Sequence, residues 1–287
     1  MKVKIWGCRG SIPSPGRETL IFGGESTCVE VISDSGESII IDAGSGIRKL
    51  GNKLIKEKVN RDVTILFTHA HWDHLTGFPF FRPAYSPEFS ISFCGGPVPQ
   101  ELIKQYVTHQ MEPPYFPVDI SEMKADLLFG CHCNQGFCDH RPGGKIKSIK
   151  CHSIPLNHPN GGYGFKFVSD KKTVCFLPDN ELRHAHKGGR TVKEYAAFFR
   201  GTDLLIHDAQ YTEDEYKKTK SWGHSTFIDA VDLAIKAGVP RLGLFHHDPD
   251  RTDHEIKFQV DLCRKYIADK GKNLDCFACA EGMVINI

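Results

Sequence analysis

Residues 69–74 read His-Ala-His-Trp-Asp-His, so His69, His71, Asp73 and His74 put four metal-capable side chains within six positions. They follow Val63-Thr64-Ile65-Leu66-Phe67, an apolar, β-branched run of strand length. Alternate side chains of an extended segment share one side, so His69 and His71 approach a common point together. Asp73 and His74 are adjacent, which suits a turn entering a helix and a second direction of approach. One segment can thus feed two neighbouring metal ions. Imidazole and carboxylate donors suit zinc and tolerate manganese or iron. A polar loop with incidental histidines explains a lone histidine, but not four ligand types at this spacing behind an apolar strand.

Such a centre needs further donors, and they occur just past other apolar runs. Leu156-Asn157-His158-Pro159 follows residues 149–154, Pro178-Asp179 follows residues 173–177, and His246-His247-Asp248 follows residues 242–245. Sites of α/β proteins are commonly assembled from strand ends in this way. Singly, each of these reads as an ordinary loop residue; as an ordered set they support the cluster at 69–74.

The elements that must position these residues alternate strands and helices. Strands are expected at the N-terminus, at 28–32, 38–41, 63–67, 173–177, 204–206 and 241–245, with turn formers at 34–36, 142–144 and 169–170. Ile47, Leu50, Leu54 and Ile55 line one helix face. Phe227, Val231, Leu233, Ala234 and Ile235 line a second, with Ser225 as N-cap and Gly238 as its stop. Ile256, Val260, Cys263 and Ile267 line a third. Layered sheets covered by helices, in one α/β domain spanning 1–287, follow from this order. The Pro-Pro-Tyr-Phe-Pro stretch at 113–117 reads as a loop, and residues 131–140 as an irregular Cys-rich insert.

Composition narrows the setting. With 287 residues, 40% hydrophobic and 25% charged, the chain can bury a core without staples. A net charge of +1 argues against a protein built to coat nucleic acid or an acidic membrane. The count of 11 cysteines is odd, the N-terminus reads as a strand rather than a signal peptide, and no apolar run reaches the roughly 18 residues of a membrane span. A reduced, cytoplasmic protein is the expectation. Cys131, His132, Cys133, Cys138 and His140 match no familiar zinc-knuckle spacing, so the insert reads as a reduced hairpin rather than a third metal site.

The strand followed by His-x-His-x-Asp-His, then a His, an Asp and a final His, resembles the metallo-β-lactamase superfamily across residues 1 to about 248. The resemblance implies an αββα sandwich with two metals at one edge. It implies His69, His71 and His158 on the first ion, Asp73, His74 and His246 on the second, and Asp179 bridging both. His246 stands where the family's post-strand histidine does, with His247 as the alternative. The iron-based oxygen and nitric-oxide reductases of the superfamily tend to carry Glu where this chain has His71. The β-lactamases usually take a Cys as ligand and lack the bridging Asp. The phosphodiesterase branch fits better.

Leu204-Leu205-Ile206-His207-Asp208-Ala209-Gln210 and Gly223-His224-Ser225-Thr226 resemble two segments of the tRNA 3′-processing endonucleases. There a carboxylate orients a histidine that helps expel the leaving group, roles carried here to Asp208 and His224; the plain alternative for His224 is a surface residue at a helix entry. Residues 7–16, 22–24, 113–117 and 245–249 resemble small cyclic-nucleotide phosphodiesterases. Two metal ions would neutralise a phosphodiester and supply hydroxide at neutral pH, with Asp73 orienting the attacking water. Gly23-Gly24 and Gly161-Gly162 offer close backbone approach to substrate. Tyr115, Phe116 and Tyr163 offer rings for a base, with ordinary packing favoured. The expected reaction is hydrolysis of a small phosphodiester, a cyclic nucleotide first among them. A tRNA 3′-endonuclease is the runner-up, since no Gly/Pro-rich tRNA-binding arm stands out. A thioesterase or lactonase, or a non-catalytic metal or nucleotide sensor, are the other readings. Related enzymes are often dimers, though no feature of the sequence shows one here.

Overall fold

The structure is a computed structural model and describes residues 1–57, 61–98, 100–129, 133–134, 137–138 and 148–287. The first sheet is built from β1 (Lys2–Gly7), β2 (Cys28–Ile32), β3 (Ser38–Ile41), β4 (Asp62–Leu66), β5 (Ser90–Cys94) and β6 (Asp126–Phe129). The second begins with β7 (Cys133–Asn134), β8 (Phe137–Cys138), β9 (Lys150–Pro155) and β10 (Tyr163–Ser169). It continues through β11 (Lys172–Leu177), β12 (Leu204–Asp208), β13 (Arg241–Phe245) and β14 (Asp275–Ala278), while β15 (Val284–Asn286) returns to the edge of the first sheet beside β1. Strand order is β15-β1-β2-β3-β4-β5-β6 in one sheet and β14-β13-β12-β11-β10-β9-β8-β7 in the other.

Both sheets are mixed. β3 to β6 run parallel, as do β11 to β14, and the remaining pairs are antiparallel. The parallel strands read as nearly continuous apolar runs because both of their faces are covered. Val29, Val31, Ile39, Ile41, Phe165, Phe167, Phe176, Ile206 and Phe245 fill the space between the sheets. On the outer side of the first sheet lie α1 (Ile47–Glu57) and α2 (Gln100–His109), through Leu50, Leu54, Ile103 and Val107. On the outer side of the second lie α3 (Val192–Phe199), α5 (Phe227–Ala237) and α6 (Asp253–Asp269); a short α4 (Glu213–Thr219) precedes α5. This is the αββα sandwich. Among the described residues no helix is long and apolar enough to cross a membrane.

Several expectations shift. β4 begins and ends one residue before the predicted 63–67 run. The stretch after it enters a 3-10 turn at Trp72–His74 rather than an α-helix. α2, α3 and α4 were not anticipated, being short, with apolar faces interrupted by polar residues. The N-cap of α5 is Thr226, not Ser225. Thr226 Oγ1 accepts from Asp229 N at 3.1 Å, and Asp229 reciprocates in a capping box, while Ser225 Oγ donates to Asn180 O at 2.5 Å. Gly238 ends α5 in the left-handed region as expected (φ 70°). The Cys-rich stretch at 131–140 lies outside the described residues except for the backbone of β7 and β8.

Phe176 is fully buried between the sheets and meets Phe245 edge-on, with ring centroids 5.1 Å apart. Phe176→Ala is expected to cost about 3–5 kcal/mol, read as a lowered urea midpoint. An unchanged midpoint would contradict this intersheet packing.

Candidate metal centre

The carboxyl ends of β4, β11, β12 and β13 meet at one edge of the sandwich, joined by the turn after β9. β4 delivers His69 to His74. Thr68 N donates to Asp42 Oδ1 at 2.8 Å and Ala43 N donates to His74 O at 2.7 Å, so the segment is stitched to the end of β3. The turn after β9 delivers His158. Asn157 and Asn180 lock this turn to the one after β11, since Asn157 N donates to Asn180 Oδ1 and Glu181 N to Asn157 O, each at 2.8 Å. β11 thereby places Asp179, and β13 places His246.

The structure brings together all seven residues expected to bind metal, as two groups that share Asp179. In the first, Asp179 Oδ2 lies 3.6 Å from His69 Nε2 and 3.8 Å from His158 Nε2, and His158 Nε2 faces His71 Nδ1 at 3.0 Å. In the second, Asp179 Oδ1 lies 3.1 Å from His74 Nε2 and 3.4 Å from His246 Nε2. Asp73 Oδ2 completes that group at 3.2 Å and 3.1 Å from the same two nitrogens.

His246 and His247 part company. His246 adopts φ 60° and turns its ring into the cluster, while His247 turns away and donates Nε2–H to Cys279 O at 2.9 Å. Burial pushes His247 down to about 3, so it stays neutral in that role. Gly10 makes room for His246: a Cβ there would come within 2.4 Å of its Nδ1. The N-terminal loop also contributes Ser11 N, which donates to Asp73 Oδ2 at 2.9 Å.

The far nitrogen of nearly every imidazole is held. His74 Nδ1 donates to Asp42 Oδ2 at 2.8 Å, His158 Nδ1 to Gly223 O at 2.9 Å, and His246 Nδ1 to Gln210 Oε1 at 2.8 Å. Thr68 Oγ1 donates to Asp42 Oδ2 at 2.8 Å and stands 3.0 Å from His69 Nδ1, placed to accept its proton. Each of these contacts puts the proton on Nδ1 and leaves the Nε2 lone pair facing inward, the tautomer a metal ligand requires. Asp42 and Gln210 escaped the sequence reading. A carboxylate directly after the Ile39-Ile40-Ile41 run was the available signal for Asp42; nothing pointed to Gln210.

The charge pattern fits cations. His69 Nε2, His74 Nε2 and Asp179 Oδ1 are buried with no hydrogen-bond partner among protein atoms, although buried polar atoms are rarely orphaned. Burial pushes His69 well below its ordinary value and His158 down to about 3, so both present lone pairs. Burial alone would raise the Asp73 and Asp179 carboxyls, but the surrounding imidazoles hold both well below the usual carboxylate range. Burial also opposes a charged His74, yet Asp73, Asp179 and Asp42 outweigh it and raise His74 well above the usual imidazole value. Protons and metal ions would compete for this negative charge. The clusters are thus compatible with a dinuclear metal site.

Asp208 and His224 meet beside the second group. His224 Nδ1 donates to Asp208 Oδ2 at 2.7 Å, and Asp208 also accepts from Asn180 N, Gln210 N and Ser225 N at 3.1–3.2 Å. Burial works against the imidazolium, but Asp208 prevails and raises His224 to about 9. His224 is buried rather than a surface residue, and it stacks on His246 with centroids 4.9 Å apart. A cavity of about 570 Å³ opens here, lined by Ser11, His71, Trp72, Asp73, His224 and His246 among others. Trp72, which the sequence reading passed over, is 80% exposed on its wall.

The other residues suggested for substrate contact lie elsewhere. Gly23 packs on Glu281, Gly24 on Pro15 and Gly162 on His69, so these three close approaches are to protein, whereas Gly161 has open space beside it. Phe116 and Tyr163 pack against core clusters, Tyr115 lies beside His109, and none of the three lines the cavity.

Comparison with known proteins agrees with the geometry. The family model described as "Beta-lactamase superfamily domain" matches residues 37–247. Ribonuclease Z of Halalkalibacterium halodurans is 25% identical, over 86% of this chain and 87% of that protein. The metallo-beta-lactamase fold protein YhfI of Bacillus subtilis superposes with a TM-score of 0.69 at 18% identity, over 99% of this chain and 98% of that one. The short form of human tRNase Z gives a TM-score of 0.61 at 21% identity, over 100% and 99%. The fold and the ligand-rich edge define a metal-dependent hydrolase. The chain belongs to the beta-lactamase superfamily, and its likeness to curated proteins runs to ribonuclease Z.

Asp42→Asn keeps the shape but removes the charge that orients His74. Metal affinity is expected to fall roughly 10–100-fold, measured by chelator competition; unchanged affinity would show that Asp42 does not tune the centre.

Proposed function

We propose that the protein is a two-metal phosphodiesterase acting on a small phosphodiester, a cyclic nucleotide first among the candidates. His69, His71 and His158 would hold one ion, Asp73, His74 and His246 the other, and Asp179 would bridge them. The observation that carries this reading is the division of one buried carboxylate between two imidazole sets, with the Asp208–His224 pair alongside. Divalent ions bound there supply the charge that neutralises a phosphodiester and acidify water. The donor set suits zinc, and accommodates manganese or iron.

The chain's own groups do the rest. Asp73, steadied by Ser11 N, orients the attacking water. His224 has Nδ1 engaged by Asp208, which leaves Nε2–H for the cavity. As the P–O bond breaks, the departing alkoxide takes that proton, and His224 becomes a neutral imidazole still bonded to Asp208. Alkoxides need this help more than thiolates or carboxylates do, which favours phosphodiesters over thioesters and lactones. It also favours an enzyme over a sensor. The cavity is the size of small-ligand sites, and Trp72 offers a flat face to a base. Cys8, Cys28, Cys175, Cys263, Cys276 and Cys279 are buried free thiols, in keeping with a reduced, cytoplasmic setting.

A second reading is cleavage of precursor tRNA at its 3′ side. The name of the curated relative, ribonuclease Z, with most of both chains aligned, favours it. Metal-loaded protein offered cyclic nucleotides beside precursor tRNA is expected to turn over the cyclic nucleotides. Efficient tRNA cleavage with inert cyclic nucleotides would replace the first reading by the second, and failure on both and on bis(p-nitrophenyl) phosphate would favour the sensor.

Trp72→Ala is expected to raise KM for a nucleotide substrate roughly tenfold, the worth of one stacked base, and to leave KM for a base-free glycerophosphodiester near wild type. Equal effects on both would remove Trp72 as a base platform.

A further inference from the structure

Glu181 lies two residues past Asp179 and is fully buried. Its two oxygens gather four donors. Oε1 accepts from Tyr216 Oη at 2.7 Å and Ser221 N at 2.9 Å; Oε2 accepts from His186 Nε2 at 2.8 Å and Gly223 N at 2.9 Å. Two of the four are backbone groups of the turn that leads into His224. Ser221 in that turn is strained at φ 75°, a left-handed conformation costly to a residue other than glycine, so outside contacts must hold it, while Gly223 adopts φ 97° freely. It also has no slack on its inner side, because a Cβ on Gly223 would lie 1.9 Å from His158 Nδ1.

We propose that Glu181 is a positioning residue for the leaving-group proton: by clamping Ser221 and Gly223 it fixes where His224 Nε2 stands above the metal-binding groups. This rests on the role proposed above for His224 as leaving-group acid. The carboxylate is specific to the task. Glutamine has the same shape but one acceptor oxygen, so whichever way its amide turns, either Ser221 N–H or Gly223 N–H faces an NH₂ group. The turn is then released at one point, and proton transfer is sensitive to displacements of about 1 Å, which can cost on the order of 100-fold in rate.

The test compares zinc-loaded wild type, Glu181→Gln, His224→Ala and the double variant on thymidine 5′-phosphate aryl esters, from p-nitrophenyl to the more basic p-methoxyphenyl leaving group. Both single variants are expected to lose roughly 10–100-fold more in kcat on the most basic ester than on the p-nitrophenyl one. The double variant should be no slower than His224→Ala, with zinc content and KM little changed. In the resting enzyme, the NMR signal of the proton shared by His224 and Asp208 should shift in Glu181→Gln, a readout independent of turnover. Equal losses across the series, or losses that multiply in the double variant, would overturn the proposal and leave Glu181 a merely structural residue. A flat series for His224→Ala itself would remove the acid role and this proposal together; a flat series for Glu181→Gln alone would remove only the positioning role. If Glu181→Gln is not recovered folded, Tyr216→Phe, which deletes one donor of the four, should show the same slope at about threefold, and a flat response there overturns the proposal.

Discussion

Asp179 has one oxygen aimed at His69 and His158 and the other at His74 and His246, at distances from 3.1 to 3.8 Å. It is buried, and all the ion-pairing partners found for it are imidazoles. A buried carboxylate so surrounded is costly unless positive charge lies close by. Strand β4 of one sheet and β9, β11 and β13 of the other converge on this point, so the fold concentrates lone pairs where only cations can satisfy them. Everything else at the edge of the sandwich follows from that constraint. The histidines must be neutral on the inward side, which fixes their tautomers, and the fixed tautomers require partners outside.

Those partners come from elements distant in sequence. Asp42 at the end of β3 holds His74, Gln210 just past β12 holds His246, and Gly223 before α5 holds His158. The stiffness of the centre is therefore a property of the sandwich rather than of the His69–His74 segment. The two sheets pack through Phe165, Phe176 and Phe245, so the relative placement of the two halves of the centre depends on that apolar layer. Geometry of this kind, with each donor supported by a second contact, separates a working site from a set of residues that are merely near.

Much of this was legible beforehand because it obeys local rules. A β-branched run followed by His69, His71, Asp73 and His74 is a strand feeding a loop, and the alternation of side chains orients the first two histidines. Layered sheets covered by helices followed from strands and amphipathic helices in alternation, and the αββα arrangement from the family resemblance. What was not legible depends on backbone conformation or on long-range contact. The choice of His246 over His247 turns on a left-handed φ at a residue that is not glycine, which no spacing rule announces. Ser225 and Thr226 are both good caps, and Ser225 lost the position because its hydroxyl and amide were drawn to Asn180 and Asp208. Glu181 and Gln210 stand 42 and 36 residues from backbone or side-chain groups they hold, and Trp72 hid inside a motif read for its ligands.

The distribution of rigid and irregular backbone carries a last consequence. Asp179 and His246 sit just past the ends of β11 and β13, His69 and His158 shortly past β4 and β9, and His71, Asp73 and His74 follow in the loop and 3-10 turn after β4. His224 instead sits after a turn with two left-handed residues, before the first turn of α5. A proton donor must be set as closely as a ligand, yet it cannot ride on a strand whose end is already occupied by Asp208. The buried Glu181 carboxylate supplies the missing stiffness by binding the turn at Ser221 and Gly223. Because Gly223 O also receives His158 Nδ1–H, the same turn supports a ligand of one group and the neighbour of the other. Release of one of its amides shifts His224 first, because the His158 turn is also held by the lock between Asn157 and Asn180.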